Sequence, residues 1–403
     1  MIELFDYTNQ DIIRNSQQLT DYDEIMEVLR ARHSFVQGFP IAGAEIVAGT
    51  MMVLDGQEHL ARRRLLGSLM SDEAIAGNRQ NFLFPVIEQT LEQVAADHRD
   101  TDGVVRADLV LLAQRFVHRI AARLAGIDDL EDADRADEFI RLIRAIAAGI
   151  GADWSLSDPA GDAAEGLKAL TAYRDHFFEP SRTRRMKLID AGEDVPDDLI
   201  TRMYSKWEDG WDAELPLRES AVLMVGATQT TSASVVLFIL RMHDWLEQHP
   251  GHAGRVLGEP GFLQRAVFES LRRTVASPAR IRRAVDDVEL STGRTIEAGE
   301  RVGLLFLEAN QDPSRFGNNA DGFDPDRTIT EGSSWGLAFG GGTHACLGRP
   351  MITGNPKLET EGTVTTIVRR LYQAGIELDG VPQRDPDTHY PIFTEVPVRL
   401  EKL

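Results

Sequence analysis

The chain has 403 residues, a formal net charge of -21 and a hydrophobic content of 42%. This composition is typical of a globular protein with a large core, and the negative charge disfavours nucleic acid and anionic membranes as partners. The one cysteine, Cys346, excludes an internal disulfide and fits a reducing compartment. No stretch reaches the roughly 20 apolar residues of a membrane span or resembles a signal segment, so we expect a cytoplasmic protein.

The first predicted elements are a short helix, an apolar loop and a second helix. Residues Asp21 to Arg32 predict the short helix. After Leu54, acidic residues precede basic ones, which is the order that the helix dipole favours. His59 and Arg63 stand four residues apart and share one face of this second helix, although a solvated helix face carries such residues too. Between the helices, the loop over 38–52 is rich in apolar residues, which indicates that it packs over another part of the molecule. These residues are Phe39, Ile41, Ile46, Val47, Met51 and Met52.

The region from Asn78 to Trp207 is almost wholly helical by its periodicity, for example over 81–97 and 107–124. Proline, glycine and small residues cluster at 159–164 and 192–196, so we expect the helices to break there. Thr171 to Ile189 predicts a helix that carries three aromatic residues, Tyr173, Phe177 and Phe178, followed by a basic run.

The longest predicted helix starts at Pro216 and can run to about Gln248, where Pro250 follows. A helix of roughly 32 residues, about 48 Å long, must cross the core. In its middle, Gly226 and the threonines at 230 and 231 predict a loosened hydrogen-bond ladder, because threonine hydroxyls can bond back to the carbonyl four residues earlier.

The segments after this helix combine a charged pair, short strands and a long loop. Glu269 and Arg272 face one another at i,i+3 spacing, which alone usually marks a surface pair. Alternation around 288–290 and 301–305 predicts short strands, and 310–327 has the composition of an ordered loop. A run of arginines, Arg280, Arg282 and Arg283, precedes these strands.

The cysteine lies in the stretch WGLAFGGGTHACLGRPM, shortly after a run of three glycines. Such glycines indicate a backbone that turns sharply or lies close to something flat or bulky. A thiolate in a loop of this kind, with a helix starting behind it, would be stabilised as an anion and could bind iron. A lone buried cysteine is more often inert, and no Gly-Lys-Ser/Thr follows that would indicate a phosphate loop.

The spacing Phe339-Gly340-x-Gly342-x-His344-x-Cys346-x-Gly348 resembles the haem-binding loop of cytochrome P450 enzymes in every fixed position. The resemblance spans roughly Thr20 to the C-terminus and implies a soluble bacterial-type member. It implies a mainly α fold with a smaller β region. The fold would be a single triangular domain over 1–403, with haem b between the long central helix and the cysteine loop.

The resemblance also implies roles for particular residues. Cys346 would be the axial iron ligand, within the loop shaped by Phe339, Gly340 and Gly342. Thr230 aligns with the family's oxygen-pocket threonine. Glu269 and Arg272 match a structural pair that ties their helix to the loop before the haem. The groups expected to contact the haem propionates are His59, Arg63, Arg282 and His344, with Arg280 and Arg283 as neighbours not excluded.

The implied activity is insertion of one oxygen atom from dioxygen into a small apolar organic substrate. Electrons would come from a ferredoxin or similar protein, since no reductase module is fused. Part of the pocket would be shaped by Val222, Val225, Ile392 and Phe393. A locally basic face around the cysteine could steer an acidic ferredoxin, unless internal partners consume its arginines; the candidates are Arg62, Arg63, Arg64, Arg272, Arg273 and Arg349.

The sequence departs from the family pattern at three places. Gln229 replaces the acid before the threonine, and an amide cannot exchange a proton as a carboxyl can. Fewer than 25 residues precede the first helix, so we expect a shortened N-terminal sheet. Gly354 and Pro356 should interrupt the helix after the cysteine until about Lys357.

Other functions stay open on the sequence alone. With Gln229 in place of the acid, the protein could use peroxide or rearrange its substrate. A haem-binding or ligand-binding protein without catalysis is a further alternative. A cysteine hydrolase fits worst, because Cys346 and His344 stand two residues apart on a glycine loop and no third orienting group is evident.

Overall fold

A computed structural model describes residues 10–156, 158–207, 210–274, 276–329, 331–355, 360–385 and 392–403. The helices in these ranges are α1 (Asp11–Arg14), α2 (Tyr22–Arg30), α3 (Ala44–Val47), α4 (Gly56–Gly67), α5 (Asp72–Asn78), α6 (Phe84–His98), α7 (Leu109–Ala125), α8 (Ala133–Ile150), α9 (Pro159–Tyr173), α10 (Glu179–Ala191), α11 (Leu199–Ser205), α12 (Leu215–Gln248), α13 (Arg255–Gly258), α14 (Phe262–Thr274), α15 (Phe306–Ala309), α16 (Pro313–Phe316), α17 (Arg349–Thr353) and α18 (Thr363–Gln373). The strands are β1 (Gln17–Leu19), β2 (Phe35–Gln37), β3 (Val105–Asp108), β4 (Ala279–Ala284), β5 (Val288–Glu289), β6 (Thr295–Ile296), β7 (Arg301–Leu305), β8 (Gly354–Asn355), β9 (Thr360–Glu361), β10 (Ile376–Leu378), β11 (Gln383–Arg384), β12 (Phe393–Glu395) and β13 (Pro397–Leu400). The predicted fold class, mainly α with a smaller β region, is confirmed.

The chain divides into two compact units. Unit 1 comprises residues 1–38, 89–113 and 230–403, and unit 2 comprises 39–88 and 114–229. The expectation of a single domain over 1–403 stays a prediction.

The largest sheet of unit 1 has the strand order β1-β7-β4-β2. β1 runs parallel to β7, and β4 is antiparallel to both β7 and β2. Helix α2 begins at the expected place, because the Asp21 carboxylate accepts hydrogen bonds from the Asp23 and Glu24 N–H groups. The buried face of α2 packs with Leu19, Val302 and Leu304 of the sheet in one apolar core. The N-terminal part of the chain therefore supplies two strands to this sheet.

Unit 2 is built around a cluster of aromatic side chains on α8, α9 and the π-helical turn Arg174–Phe178. Phe139, Tyr173 and Phe177 have no exposed surface, and the rings of Phe139 and Phe177 meet edge to face at 5.0 Å. The Tyr173 hydroxyl lies 2.6 Å from the Ser220 hydroxyl at the start of α12. The aromatic run that the sequence placed on a helix therefore belongs to the core.

The helix break expected at residues 159–164 is wrong. Helix α9 begins at Pro159 and runs through this segment, because proline is well suited to a first helical turn and the Asp158 carboxylate accepts the Gly161 N–H bond. Gly166 is required for close packing, since a Cβ there would lie 2.7 Å from the Gly149 Cα on α8. The second expected break is confirmed, since α10 ends at Gly192 with φ 67° and α11 begins at Leu199.

Helix α12 confirms the predicted long helix, with 34 residues. It is assigned as α-helix from Leu215 to Gln248, and the expected loosening around Gly226 stays a prediction. The Thr228 hydroxyl bonds back to the Met224 carbonyl at 2.8 Å, which is a bond of the expected kind. Within the described residues, α12 is also the one helix long and apolar enough to cross a membrane by length and composition, a test that core helices of other proteins pass as well.

The segment after Cys346 is interrupted as predicted. Helix α17 ends at Gly354, whose φ of 66° favours glycine. Gly354 and Asn355 then pair with Glu361 and Thr360 as strands β8 and β9. Pro356 and Lys357 lie outside the described residues, and the next described helix, α18, begins at Thr363.

His118 on α7 should make the stability of the protein depend on pH. Its ring is buried between the Gln114 carbonyl, 2.8 Å from Nδ1, and the edge of Phe139, and this burial lowers its pKa to about 4. The unfolded chain takes up this proton near pH 6.5, whereas the native protein does so only near pH 4. The contribution of the neutral His118 ring to the free energy of unfolding is therefore complete above pH 6.5. This contribution, about 3 kcal/mol, is lost as the pH falls towards 4.

We expect urea unfolding of the wild type to show this loss and His118→Leu to lack it. The informative quantity is the slope of the unfolding free energy against pH, compared between the two proteins from pH 6.5 to 4. The comparison is needed because carboxylates titrate in both proteins. Identical slopes would show that His118 is protonated in the native state over that range.

Candidate active site

The cysteine loop folds back on itself through backbone hydrogen bonds. The Cys346 N–H donates to the Phe339 carbonyl at 2.9 Å, and the Gly340 N–H donates to the Leu337 carbonyl at 2.9 Å. Gly340 and Gly342 have φ values of 61° and 64°, which side chains rarely tolerate. The loop therefore leaves Cys346 exposed, and its thiol is accessible to a metal or ligand.

Gly342 is fixed by a second constraint, its close approach to α2. A Cβ at this position would lie 1.8 Å from the Leu29 carbonyl oxygen. Gly341 is also tight, since its Cβ would lie 2.9 Å from the Met26 sulfur. The glycine run is needed because the cysteine loop packs directly on the backbone of α2.

His344 and Arg282 are joined by Gln37, a residue that no sequence pattern selects. The Arg282 Nη1 group donates to Gln37 Oε1 at 2.7 Å, and Gln37 Nε2 lies 2.8 Å from His344 Nδ1. β2 pairs with β4 so that Gln37 lies opposite Arg282. Arg282 is buried and His344 half-buried. Two of the predicted propionate contacts therefore lie in one hydrogen-bonded row, and one of them, His344, stands two residues before Cys346.

The neighbouring arginines on β4 differ from Arg282 in environment. Arg283 lies on the opposite face of the strand and is exposed. Arg280 shares the face of Arg282 but lies nearer the start of the strand, where its guanidinium contacts the Ser277 hydroxyl. Arg282 is thus the arginine of this run that lies next to His344 through Gln37.

His59 and Arg63 lie one turn apart on α4 of unit 2. His59 is only 2% exposed, so it is not part of a solvated helix face. Arg63 is half-buried. A buried imidazole next to a half-buried guanidinium is a suitable donor pair for an anionic group.

The same helix carries a buried ion pair that sequence analysis missed. Arg62 on α4 pairs with Glu219 on α12, and Glu219 also accepts the Met51 N–H bond at 2.8 Å. Burial raises the pKa of Glu219, while Arg62 opposes that rise. The Arg218 side chain donates to the Ala48 carbonyl at 2.8 Å. The first turn of α12 therefore holds the end of the apolar loop over residues 48–51.

The middle of α12 has an accessible strip between buried residues. Gly226 is exposed, and a Cβ added there would meet nothing within 4 Å, whereas Met224 and Thr228 are fully buried. Gln229 and Thr230, three and four residues further on, are half-buried. The half-buried residues Val222 and Val225 extend the strip towards the N-terminus of the helix. A small molecule could reach the helix here.

Two hydrogen bonds of this strip lie close to Thr230 along the helix. Gln229 Nε2 donates to the Thr228 hydroxyl at 3.3 Å, so the amide turns back along the helix. The Ser234 hydroxyl donates to the Thr230 carbonyl at 2.7 Å. Thr228 therefore takes part in the hydrogen bonds of this strip, and no sequence signal selected it.

Glu269 and Arg272 form a buried network, and not the surface pair that an isolated Glu-x-x-Arg usually marks. Arg272 is 0% exposed and binds both carboxylate oxygens of Glu269, at 2.8 and 2.7 Å. Its remaining N–H groups donate to the carbonyls of Asn310, Ala320 and Gly322. Arg327 Nε donates to Glu269 at 3.0 Å. This network holds the loop over 310–327 against α14.

The expected basic face is wrong for three of its six arginines. Arg62 and Arg272 are buried in the ion pairs described above, and Arg273 is 9% exposed. Burial and the nearby Arg272 lower the pKa of Arg273 to about 10. Arg64 and Arg349 are exposed and Arg63 is half-buried. Internal partners therefore consume part of the charge that was expected at the surface.

The residues of unit 1 fit a haem in their chemistry. An accessible thiol on a glycine-shaped loop is a suitable axial ligand for iron. Buried Arg282 and the adjacent His344 are nitrogen donors suited to carboxylates. The positive φ values of Gly340 and Gly342 favour glycine, so these two positions of the cysteine loop carry no side chain.

Comparison with known proteins places the chain in one family. The sequence profile named Cytochrome P450 matches residues 14–370. The chain is 26% identical over 347 residues to the erythromycin C-12 hydroxylase of Saccharopolyspora erythraea, covering 84% of this chain and 77% of that protein. It is 27% identical over 381 residues to the mycinamicin IV hydroxylase/epoxidase of Micromonospora griseorubida, covering 91% and 83%.

Solved structures share the fold at lower identity. P450BioI in complex with a hexadec-9Z-enoic acid ligated acyl carrier protein has a TM-score of 0.74 at 20% identity, over 98% of this chain and 97% of that one. A mutant of P450 EryK in complex with erythromycin B has a TM-score of 0.70 at 22% identity, over 95% and 90%.

Proposed function

Since this chain belongs to the cytochrome P450 family of haem-containing monooxygenases, we propose that it oxidises an apolar organic substrate with electrons from a separate protein. The observation that supports this best is the accessible Cys346 thiol, two residues from His344, which is joined through Gln37 to buried Arg282. In the net reaction one oxygen atom of dioxygen enters the substrate, and the other becomes water with two electrons and two protons.

Each predicted haem contact has a specific task in this proposal. Cys346 would be the sulfur ligand of the iron, and the turns at Gly340 and Gly342, with Phe339 before them, would hold its sulfur in place. Haem bound through a thiolate supplies the activation of dioxygen. Further donors to the haem carboxylates are Arg282, His344, His59 and Arg63.

Thr230 and Gln229 are proposed to serve proton delivery. The Thr230 hydroxyl can hold a water and pass a proton through its own oxygen. Gln229 cannot exchange a proton, so its amide can only orient such a water or a neighbouring hydroxyl. Its bond to the Thr228 hydroxyl supports the orienting role.

The substrate is proposed to lie against apolar surface. Val222 and Val225 provide such surface on α12 of unit 2. Met51 and Met52 of the apolar loop are half-buried, whereas Ile46 and Val47 are fully buried and support the loop from within. In unit 1, Phe393 is buried and Ile392 half-buried. Relatives named as hydroxylases of erythromycin and mycinamicin make macrolides the first compounds to screen.

The electron donor is proposed to be a ferredoxin or similar protein. Arg64 and Arg349 are the exposed members of the predicted basic set. Their contribution to docking would be mainly to the association rate, which falls with added salt.

A peroxide-using enzyme is the second candidate. The amide of Gln229 supports it, since a carboxyl that could exchange protons is missing from that position. Turnover with peroxide, together with failure under every electron-transfer partner, would favour this candidate.

The Thr230→Ala variant tests the proton role. We expect product formed per NAD(P)H consumed to fall by about tenfold, because loss of one proton-transfer group commonly costs at least that much. Haem content should stay at the wild-type level. The measurement is the ratio of product to NAD(P)H consumed, with a reconstituted redox system and a substrate identified by its spin-state shift.

Thr231→Ala is the matched control, because Thr231 is the next residue but is only 7% exposed. It should leave the product yield unchanged. Gln229→Glu should raise turnover if position 229 gates protons. Equal yields for Thr230→Ala and wild type would remove Thr230 from the mechanism.

A further inference from the structure

Gln37 occupies a position between two donor groups of the proposed haem site. It is the last residue of β2, and its strand pairing places it opposite Arg282 on β4. Its amide oxygen lies 2.7 Å from Arg282 Nη1, and its amide nitrogen lies 2.8 Å from His344 Nδ1. The side chain therefore bridges a strand of the sheet and the 3-10 turn Gly342–His344 that precedes the cysteine.

The chemistry of the three groups fixes every donor and acceptor in the row. A guanidinium can only donate, so the Gln37 atom facing Arg282 must be its carbonyl oxygen. The other end of the amide is then the NH₂ group, which can only donate. His344 Nδ1 must accept, and in a neutral imidazole the proton is then on Nε2.

We propose that Gln37 is a positioning residue of the haem site, which holds Arg282 and keeps His344 in the Nε2-protonated tautomer. In this state both residues offer N–H groups to a carboxylate. The inference rests on the proposed function, because it takes the carboxylates to be those of haem.

Only an amide of this length satisfies both neighbours. Asparagine is one methylene shorter and could not span the two contacts. Leucine has no polar side-chain atom, so Arg282 and His344 would each lose the hydrogen bond to position 37. A glutamate would accept from Arg282 but also from His344, so the proton would move to Nδ1 and a negative charge would stand beside the incoming carboxylates.

The first test is a direct observation of the tautomer. Purified protein with ¹⁵N-labelled histidine is studied by long-range ¹H–¹⁵N correlation, in the reduced carbon monoxide complex at about pH 8, where a free imidazole is neutral. His344 is assigned by the loss of its signals in His344→Gln. We expect Nε2–H in the wild type and an Nδ1 proton in Gln37→Glu. An Nδ1–H tautomer in the wild type would overturn the proposal.

The second test is the rate of haem transfer to apomyoglobin. We expect transfer about tenfold faster from Gln37→Leu than from wild type, since a hydrogen bond to a charged group is lost, and faster still from Gln37→Glu. A purely structural bridge predicts the opposite order, because glutamate preserves the shape and strengthens the contact with Arg282. Gln18→Glu, the same change at an exposed position of β1, should transfer haem at the wild-type rate.

The two proposals fail in different ways. If the purified protein holds no thiolate-ligated haem, its absorption spectrum shows this before any variant is made, and the proposed function fails. If the spectrum is as expected but Gln37→Glu keeps its haem as well as the wild type does, the inference about Gln37 fails alone.

Discussion

Arg272→Leu is expected to destabilise the protein by about 4 kcal/mol and to detach the loop over 310–327 from α14. Removing one partner of a buried ion pair typically costs 3–5 kcal/mol, so about 4 is a central estimate. Here Glu269 would stay buried with Arg327 as its remaining ion-pair partner, and the carbonyls of Asn310 and Ala320 would lose the Arg272 donor. The measurements are the midpoint of urea unfolding and the hydrogen exchange of the loop amides.

Arg272→Lys should recover only part of this loss. An ammonium is a compact charge and cannot reproduce the planar set of donors that Arg272 uses. Arg265→Leu is the matched control on the same helix, because the Arg265 side chain is 45% exposed and its ion pair with Glu259 lies in solvent. This control should change stability by less than about 1 kcal/mol. Equal effects at 265 and 272 would contradict the assigned network.

Gly342→Ala is expected to displace the cysteine loop from α2. Its Cβ would lie 1.8 Å from the Leu29 carbonyl oxygen, and a φ of 64° is unfavourable for alanine even without that contact. The overlap and the strain together should cost about 3 kcal/mol. Because His344 belongs to the same turn, we also expect haem to be lost faster than from the wild type.

Gly340→Ala separates the two causes. Its φ of 61° is similar, but its Cβ would meet no atom closer than the Phe306 ring at 3.9 Å. Only the backbone strain of about 1 kcal/mol should remain. The comparison uses urea unfolding and haem transfer to apomyoglobin for both variants. If Gly340→Ala cost as much as Gly342→Ala, the contact with α2 would not be the reason for glycine.

Local sequence signals were enough for the elements whose cause is local. The long helix follows from a largely apolar stretch without interior proline between Pro216 and Pro250, and the helix end at Gly354 follows from its backbone conformation. The helix start at Asp21 follows from its cap. The cysteine loop was predictable because its glycines, His344 and Cys346 have the spacing of the haem-binding loop of cytochrome P450 enzymes.

Contacts between distant segments could not be predicted in the same way. Gln37 lies 245 residues from Arg282 and 307 from His344 in the chain, and a lone glutamine gives no signal of its own. Glu219 looks like an ordinary helix acid, and only the fold places Arg62 beside it. The error at Pro159 has a local cause, since proline breaks a helix when it lies in the interior but suits the first turn, where Pro159 stands.

The central claim, a haem held by Cys346, is tested most directly by the absorption spectrum of the purified protein after reduction and exposure to carbon monoxide, recorded beside Cys346→Ala. We expect a strongly red-shifted Soret band in the wild type, because an anionic sulfur would be the iron ligand, and its loss in the variant. A band typical of histidine ligation, the absence of haem, or a red-shifted band that persists in Cys346→Ala would contradict the claim.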